Sequence, residues 1–161
     1  DARITTIYEG TTQIQALDLL GRKTVQQRGE GLKLFLQEID AFCAQGANDE
    51  VLKEFAPNLS VLAKEWSELT HALGQRAIKN ADETGAAAVD YLFYSGYVAL
   101  AYFWARSVAA AEHSSQSEDF KQAKRLTARF YFARILPRAR THRAAIEAGG
   151  ESLFAMAAKL F

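Results

Sequence analysis

The chain holds one cysteine, Cys43, so no internal disulfide can form and a reducing, cytoplasmic compartment is expected. Prolines are equally scarce: Pro57 and Pro137 alone interrupt 161 residues, which leaves long stretches free to be helical. Apolar–polar alternation of strand period is nowhere sustained. Neither sign of charge is in excess, with 19 basic and 19 acidic residues and a formal net charge of zero. That balance removes the electrostatic case for a nucleic-acid or anionic-membrane partner. The uncharged stretch from Tyr91 to Ala105 is cut short by Asp90 and Arg106, and a membrane span needs about 20 apolar residues. His71, His113 and His142 are too widely spaced for a metal-ligand motif, so no metal is expected. No Gly-x-Ser-x-Gly nucleophile turn occurs either.

Helix-forming residues abound. Hydrophobic residues make up 49 % and charged ones 24 % of the chain, enough for one globular core. The pattern predicts an all-α fold, an up-and-down bundle of four main helices preceded by an N-terminal segment. A first helix is expected from Thr12 to Arg28, broken by Gly29-Glu-Gly31, and a second to about Ala44 with Leu32, Phe35, Leu36, Ile39 and Phe42 on its apolar face. A short helix over Glu50 to Phe55 should stop before Pro57. Asn58 should then cap a helix from Leu59 to Asn80, with the stripe Leu62, Trp66, Leu69, Leu73 and Ile78. The longest helix is expected from Ala86 to His113. Ser115 and Glu118 fit a capping box before a last long helix to Ala148, kinked at Pro137 and ended by Gly149-Gly150. Glu151 to Phe161 reads as a short amphipathic helix or an apolar tail.

Three further features call for a reading. Cys43 sits at helical spacing from Ile39 and reads as a buried small hydrophobe. Lys121, Lys124, Arg125, Arg129, Arg134, Arg138, Arg140 and Arg143 share a segment without acids from Phe120 to Ile146. They read as a solvated face paired with acids of neighbouring helices, such as Glu38, Asp40, Glu65 and Glu68, ahead of a patch for phosphates or an acidic partner. Tyr91, Phe93, Tyr94, Tyr97, Tyr102, Phe103 and Trp104 cover nearly all sides of one helix. That helix must be surrounded, by its own bundle or by a partner surface.

The densest chemistry stands near the N-terminus, in Ile7-Tyr-Glu-Gly-Thr-Thr-Gln-Ile14. A carboxylate among apolar neighbours, Ile4, Ile7, Tyr8, Ile14 and Leu17, fits a general base whose pKa desolvation raises toward working pH. Gly10 permits close approach of a ligand, and Thr11 or Thr12 could cap the following helix. Read residue by residue, the same string also fits a loop before a helix, with Glu9 solvated.

From Asp1 to Gln15 this sequence resembles the catalytic-glutamate segment of acyl-CoA dehydrogenases, almost unbroken over about fifteen positions. The resemblance implies that Glu9 removes the α-proton of an acyl-CoA thioester while its backbone N–H helps hold the thioester carbonyl. It implies that Gly10 lines the substrate and that Thr11, Thr12 and Gln13 touch FAD. The β-hydride would pass to the flavin, giving a trans-2-enoyl-CoA, with an electron-transfer flavoprotein as the onward acceptor. In that family the flavin-binding domains precede the motif. The chain is therefore expected to be the C-terminal piece of a larger enzyme and inactive alone, with residues 1–29 ending the catalytic domain and 30–161 forming an appended bundle. Long bacterial members share this layout, and 3-methylmercaptopropionyl-CoA dehydrogenases resemble it too, so a sulfur-containing acyl group is among the implied substrates. The alternative is a noncatalytic helical module for interaction or dimerisation. A homodimer is expected in either case.

Overall fold

The structure, a computed structural model, describes residues 3–4 and 10–160. Its described residues contain helices and turns and no strand, as the composition requires. The elements are α1 (Thr12–Leu17), a π-helical continuation (Asp18–Val25), α2 (Glu30–Gly46), a 3-10 turn (Leu52–Glu54), α3 (Ala56–Lys79), α4 (Asp82–Glu112), α5 (Glu118–Phe130), α6 (Ala139–Ala148) and α7 (Glu151–Phe154). Between α5 and α6 lie a π turn (Tyr131–Ile135) and a 3-10 turn (Leu136–Arg138), and Ala158–Leu160 closes the chain with a last 3-10 turn.

The four expected bundle members are α2, α3, α4 and the broken arm α5–α6. Helix α4 is the axis: α1, α3, α5 and α6 all pack on it, and α2 packs on α3. Its buried side includes Ala87, Tyr91, Tyr94, Val98, Ala101, Tyr102, Ala105 and Val108. Small residues alternating with tyrosines let neighbouring helices approach while the rings fill the space between them. Phe35 and Phe42 of α2 meet the Tyr102 ring edge-on, a favoured aromatic arrangement. The central-helix expectation holds, with one correction. Phe93, Leu100 and Phe103 are about half exposed, so part of the aromatic set is surface and not core.

Several boundaries differ from the sequence expectation for local reasons. Pro57 does not stop a helix. It sits in the first turn of α3, where a missing N–H costs nothing, so α3 starts before Asn58. Helix α4 starts at Asp82, four residues early, with Asp82 and Glu83 in its positive first turn and Asn80 Oδ1 accepting the Asp82 N–H at 3.1 Å. The cap of α5 is Ser117, whose Oγ accepts the Phe120 N–H at 3.3 Å, and not Ser115. Pro137 does more than kink the last helix: a π turn and a 3-10 turn separate α5 from α6. Ile78 leaves the α3 stripe and is largely exposed. Gly29, with φ of 73°, ends the N-terminal helical run as expected, preceded by Arg28 at φ 54°.

Candidate functional site

Glu9 lies outside the described residues. The residues from Gly10 onward are placed. Gly10 has φ of 124°, a conformation that side chains with a Cβ rarely adopt, so glycine is required at that point. Thr11 and Gln13 are exposed and Thr12 half-buried. Thr11 occupies the cap position of α1 without a side-chain cap bond, so the capping role expected of it is not played through its hydroxyl. Gly10, Thr11 and Gln13 thus lie at the surface at the start of α1, with Thr12 half-buried among them.

The next turns of helix fasten that edge to the bundle. Ala16 and Leu20 are fully buried, and Thr24 nearly so. Thr24 Oγ1 donates to the Leu19 carbonyl at 2.8 Å. The Gln26 and Gly29 N–H groups reach back five residues, to the carbonyls of Gly21 at 2.9 Å and Thr24 at 2.8 Å. This is the wide π turn, an element frequent at functional sites. Asp18 on the same turn is held by Arg22 and Lys23, at 2.5 and 3.0 Å. Those hydrogen bonds lower its pKa to about 2.

Beneath the segment lies a buried polar network. Thr70 Oγ1 donates to the Trp66 carbonyl at 2.8 Å, so the Tyr91 hydroxyl, also 2.8 Å away, must donate to Thr70. Trp66 Nε1 in turn donates to the Tyr91 oxygen at 3.2 Å. Burial pushes the Tyr91 phenol pKa up, so the proton stays in place. Tyr94 and Ser95, next on the helix, have buried hydroxyl oxygens with no hydrogen-bond partner among the described residues.

A second lock joins three helix ends. Glu83, at the start of α4, accepts from Arg76 Nε at 2.9 Å and from the Gly150 N–H at 3.0 Å. Arg76 Nη2 donates to the Ile146 carbonyl at 2.6 Å. The Gly150 N–H, then Arg76, hold the Glu83 pKa below the usual carboxylate range against the opposing effect of burial. Gly149, at φ 74°, turns the chain so that Gly150 can reach Glu83. Nothing in the sequence pattern marked Glu83 or Thr24, since each acts through a backbone group distant in sequence or geometry.

Four of the eight basic residues in the run, Lys121, Arg125, Arg129 and Arg143, are paired with acids. Arg125 bridges Glu112, Arg129 bridges Glu54 at 2.7 Å, Lys121 bridges Glu118 at 2.9 Å, and Arg143 bridges Glu65 and Glu147, each at 2.8 Å. Of the partners named from sequence only Glu65 is used; Glu68 lies 3.9 Å from Lys64 instead. Cys43 is buried and its thiol pKa is raised, first by desolvation. His142 Nδ1 lies 2.8 Å from Asp90 Oδ1, with its ring stacked on Phe93 and Tyr97. Among the described residues no group of three His, Cys, Asp or Glu could hold a metal, and no helix is long and apolar enough to cross a membrane.

A family model described as acetyl-CoA dehydrogenase C-terminal like matches residues 35–157. The chain belongs to this family. It is 30 % identical over 161 residues to the 3-methylmercaptopropionyl-CoA dehydrogenase of Ruegeria pomeroyi, covering 95 % of this chain and 27 % of that protein. It is 28 % identical over 159 residues to the broad-specificity linear acyl-CoA dehydrogenase of Mycobacterium tuberculosis, covering 91 % of this chain and 26 % of that one. A 56-residue stretch is 43 % identical to the butyryl-CoA dehydrogenase of Syntrophomonas wolfei, covering 35 % of this chain and 9 % of that protein. The chain thus spans about a quarter of the first two relatives. The matched residues 35–157 take in α3 to α7 and most of α2.

Proposed function

We propose that this chain is the C-terminal part of an FAD-dependent acyl-CoA dehydrogenase that oxidises an acyl-CoA to the trans-2-enoyl-CoA, with Glu9 as the base that removes the α-proton. The observation that carries this is the run from Asp1 to Gln15, in which Glu9 stands directly before a glycine whose backbone conformation requires glycine. Gly10 leaves room for the thioester beside Glu9. Thr11, Thr12 and Gln13 would line the FAD, and the exposure of Thr11 and Gln13 fits a site whose other walls belong to the rest of the parent. When bound, FAD supplies the hydride acceptor that no side chain can replace. Residues 1–29 then end the catalytic domain and 30–161 form the appended bundle. The burial of Ala16, Leu20 and Thr24 supports a rigid joint between them. Acyl-CoA is the substrate and an electron-transfer flavoprotein the acceptor; the parent works in the cytoplasm, as a homodimer. A 3-methylmercaptopropionyl or a linear acyl group is consistent with the names of the relatives.

A second reading, a noncatalytic interaction or dimerisation module, is favoured by the half-exposed Phe93, Leu100 and Phe103 on α4. It describes what the isolated piece does. An absorbance spectrum tests the proposal: the 161-residue chain alone is expected to be colourless and inactive, and the full-length parent yellow. A stoichiometrically flavinated isolated chain, or a colourless parent, would contradict it.

A further inference from the structure

The π turn, Arg28, Gly29 and the facing flanks of α2 and α3 enclose an open groove of about 900 Å³, and none of Gly10 to Gln13 lines it. The dehydrogenase reading leaves it without a role. Helices α2 and α3 run antiparallel: Phe35 packs on Trp66, and Gly46 lies against Leu52 and Ala56. The lining on α3 extends from Ser60 to Ile78, which at 1.5 Å per residue makes the groove about 27 Å long. Leu32, Leu36, Val61 and Ile78 supply apolar surface, and Val61 and Ile78 stand 57 % and 79 % exposed.

Charge distinguishes the two ends. Arg28 and Lys33 stand where α2 begins, and neither has an acidic partner among the described residues. Asp40 of α2, two turns further along, and Lys64 of α3, which lies 3.9 Å from Glu68, line the groove beyond them with opposite charges. Thr70, on the floor, is already tied to Trp66 and Tyr91. A cavity of this size suits a small molecule. An elongated apolar trough with an unpaired guanidinium and ammonium at one end selects a chain-shaped molecule with an anionic head, because the planar guanidinium pairs carboxylates well. We propose that the groove binds a long-chain carboxylate, its head on Arg28 and Lys33 and its chain running past Leu32 and Leu36 to Val61. This goes beyond the dehydrogenase reading and does not depend on it.

The test is calorimetric titration of the 161-residue chain with dodecanoate, and with uncharged 1-dodecanol of the same length. Saturable one-to-one binding of dodecanoate is expected, with dodecanol at least tenfold weaker. R28E/K33E should weaken dodecanoate at least tenfold and leave dodecanol unchanged. Gly74 lines the groove, and a Cβ added there meets nothing within 4 Å, so Gly74→Trp should fold, obstruct the groove and abolish binding of both. The proposal is overturned if dodecanoate fails to bind saturably, if R28E/K33E binds it within twofold of wild type, or if dodecanol binds as tightly. It is equally overturned if dodecanoate does not bind and Gly74→Trp dissolves a dimer seen by light scattering, which would make the groove a seat for a second copy.

Discussion

Two neighbouring tyrosines on α4 illustrate how differently a buried hydroxyl can act. Tyr91 joins α4 to α3 through Trp66 and Thr70, whereas the Tyr94 oxygen has no hydrogen-bond partner among the described residues. Tyr91→Phe should therefore cost about 1–2 kcal/mol by leaving the Trp66 N–H unpaired, while Tyr94→Phe should be neutral or stabilising. Urea unfolding of both variants checks the contrast, and equal losses would contradict it. Glu83 gives a second residue-scale expectation. Replacing it with glutamine weakens charge-assisted bonds to Gly150 and Arg76, for a loss of about 2 kcal/mol at neutral pH. Its folded pKa lies below its ordinary 4.5, so its stabilisation is complete above that value and is lost as pH falls through the lower folded one. The deficit of Glu83→Gln against wild type should accordingly shrink as pH falls below 4.5.

Elements were the most legible level, and their ends the least. Apolar spacing of three and four placed all four bundle members because it reports burial directly, as Leu36, Ile39, Leu69 and Leu73 show. It could not place Pro57, which either ends a helix or opens one depending on which carbonyls lie upstream. Nor could it separate Ser115 from Ser117, two serines within three residues of the start of α5. The π turn was illegible because the hydroxyl bond that accompanies it, from Thr24 to the carbonyl five residues back, follows no hydrophobic period. Thr24→Val removes that bond and leaves the Leu19 carbonyl without it, so a loss of about 1 kcal/mol is expected. Faster amide exchange at Gly29, whose N–H is held by the Thr24 carbonyl, should accompany it. Unchanged exchange would mean that packing of Ala16 and Leu20 alone sets the turn.

At the scale of the molecule, the motif and the groove differ in how they are written. The run Glu9-Gly10-Thr11-Thr12-Gln13 is contiguous, so its chemistry is visible in the sequence. The groove is assembled from α2 and α3, whose lining residues lie far apart along the chain, and only the fold brings them together. Surface also speaks at this scale. Phe93, Leu100 and Phe103 on α4, with Leu153, Phe154, Met156 and Leu160 at the end of the chain, leave large apolar side chains exposed, and contiguous apolar patches commonly find partners. Light scattering at micromolar concentration should give twice the 17.8 kDa chain mass, and Leu100→Asp should return it to one; a wild-type monomer would contradict this. The central claim, that Glu9 is the base of an acyl-CoA dehydrogenase, is tested most directly in the full-length parent by stopped-flow reduction with acyl-CoA. Glu9→Gln should keep its FAD yet lose flavin bleaching by at least about a hundredfold, since an amide cannot take the α-proton, and bleaching at the wild-type rate would contradict the account.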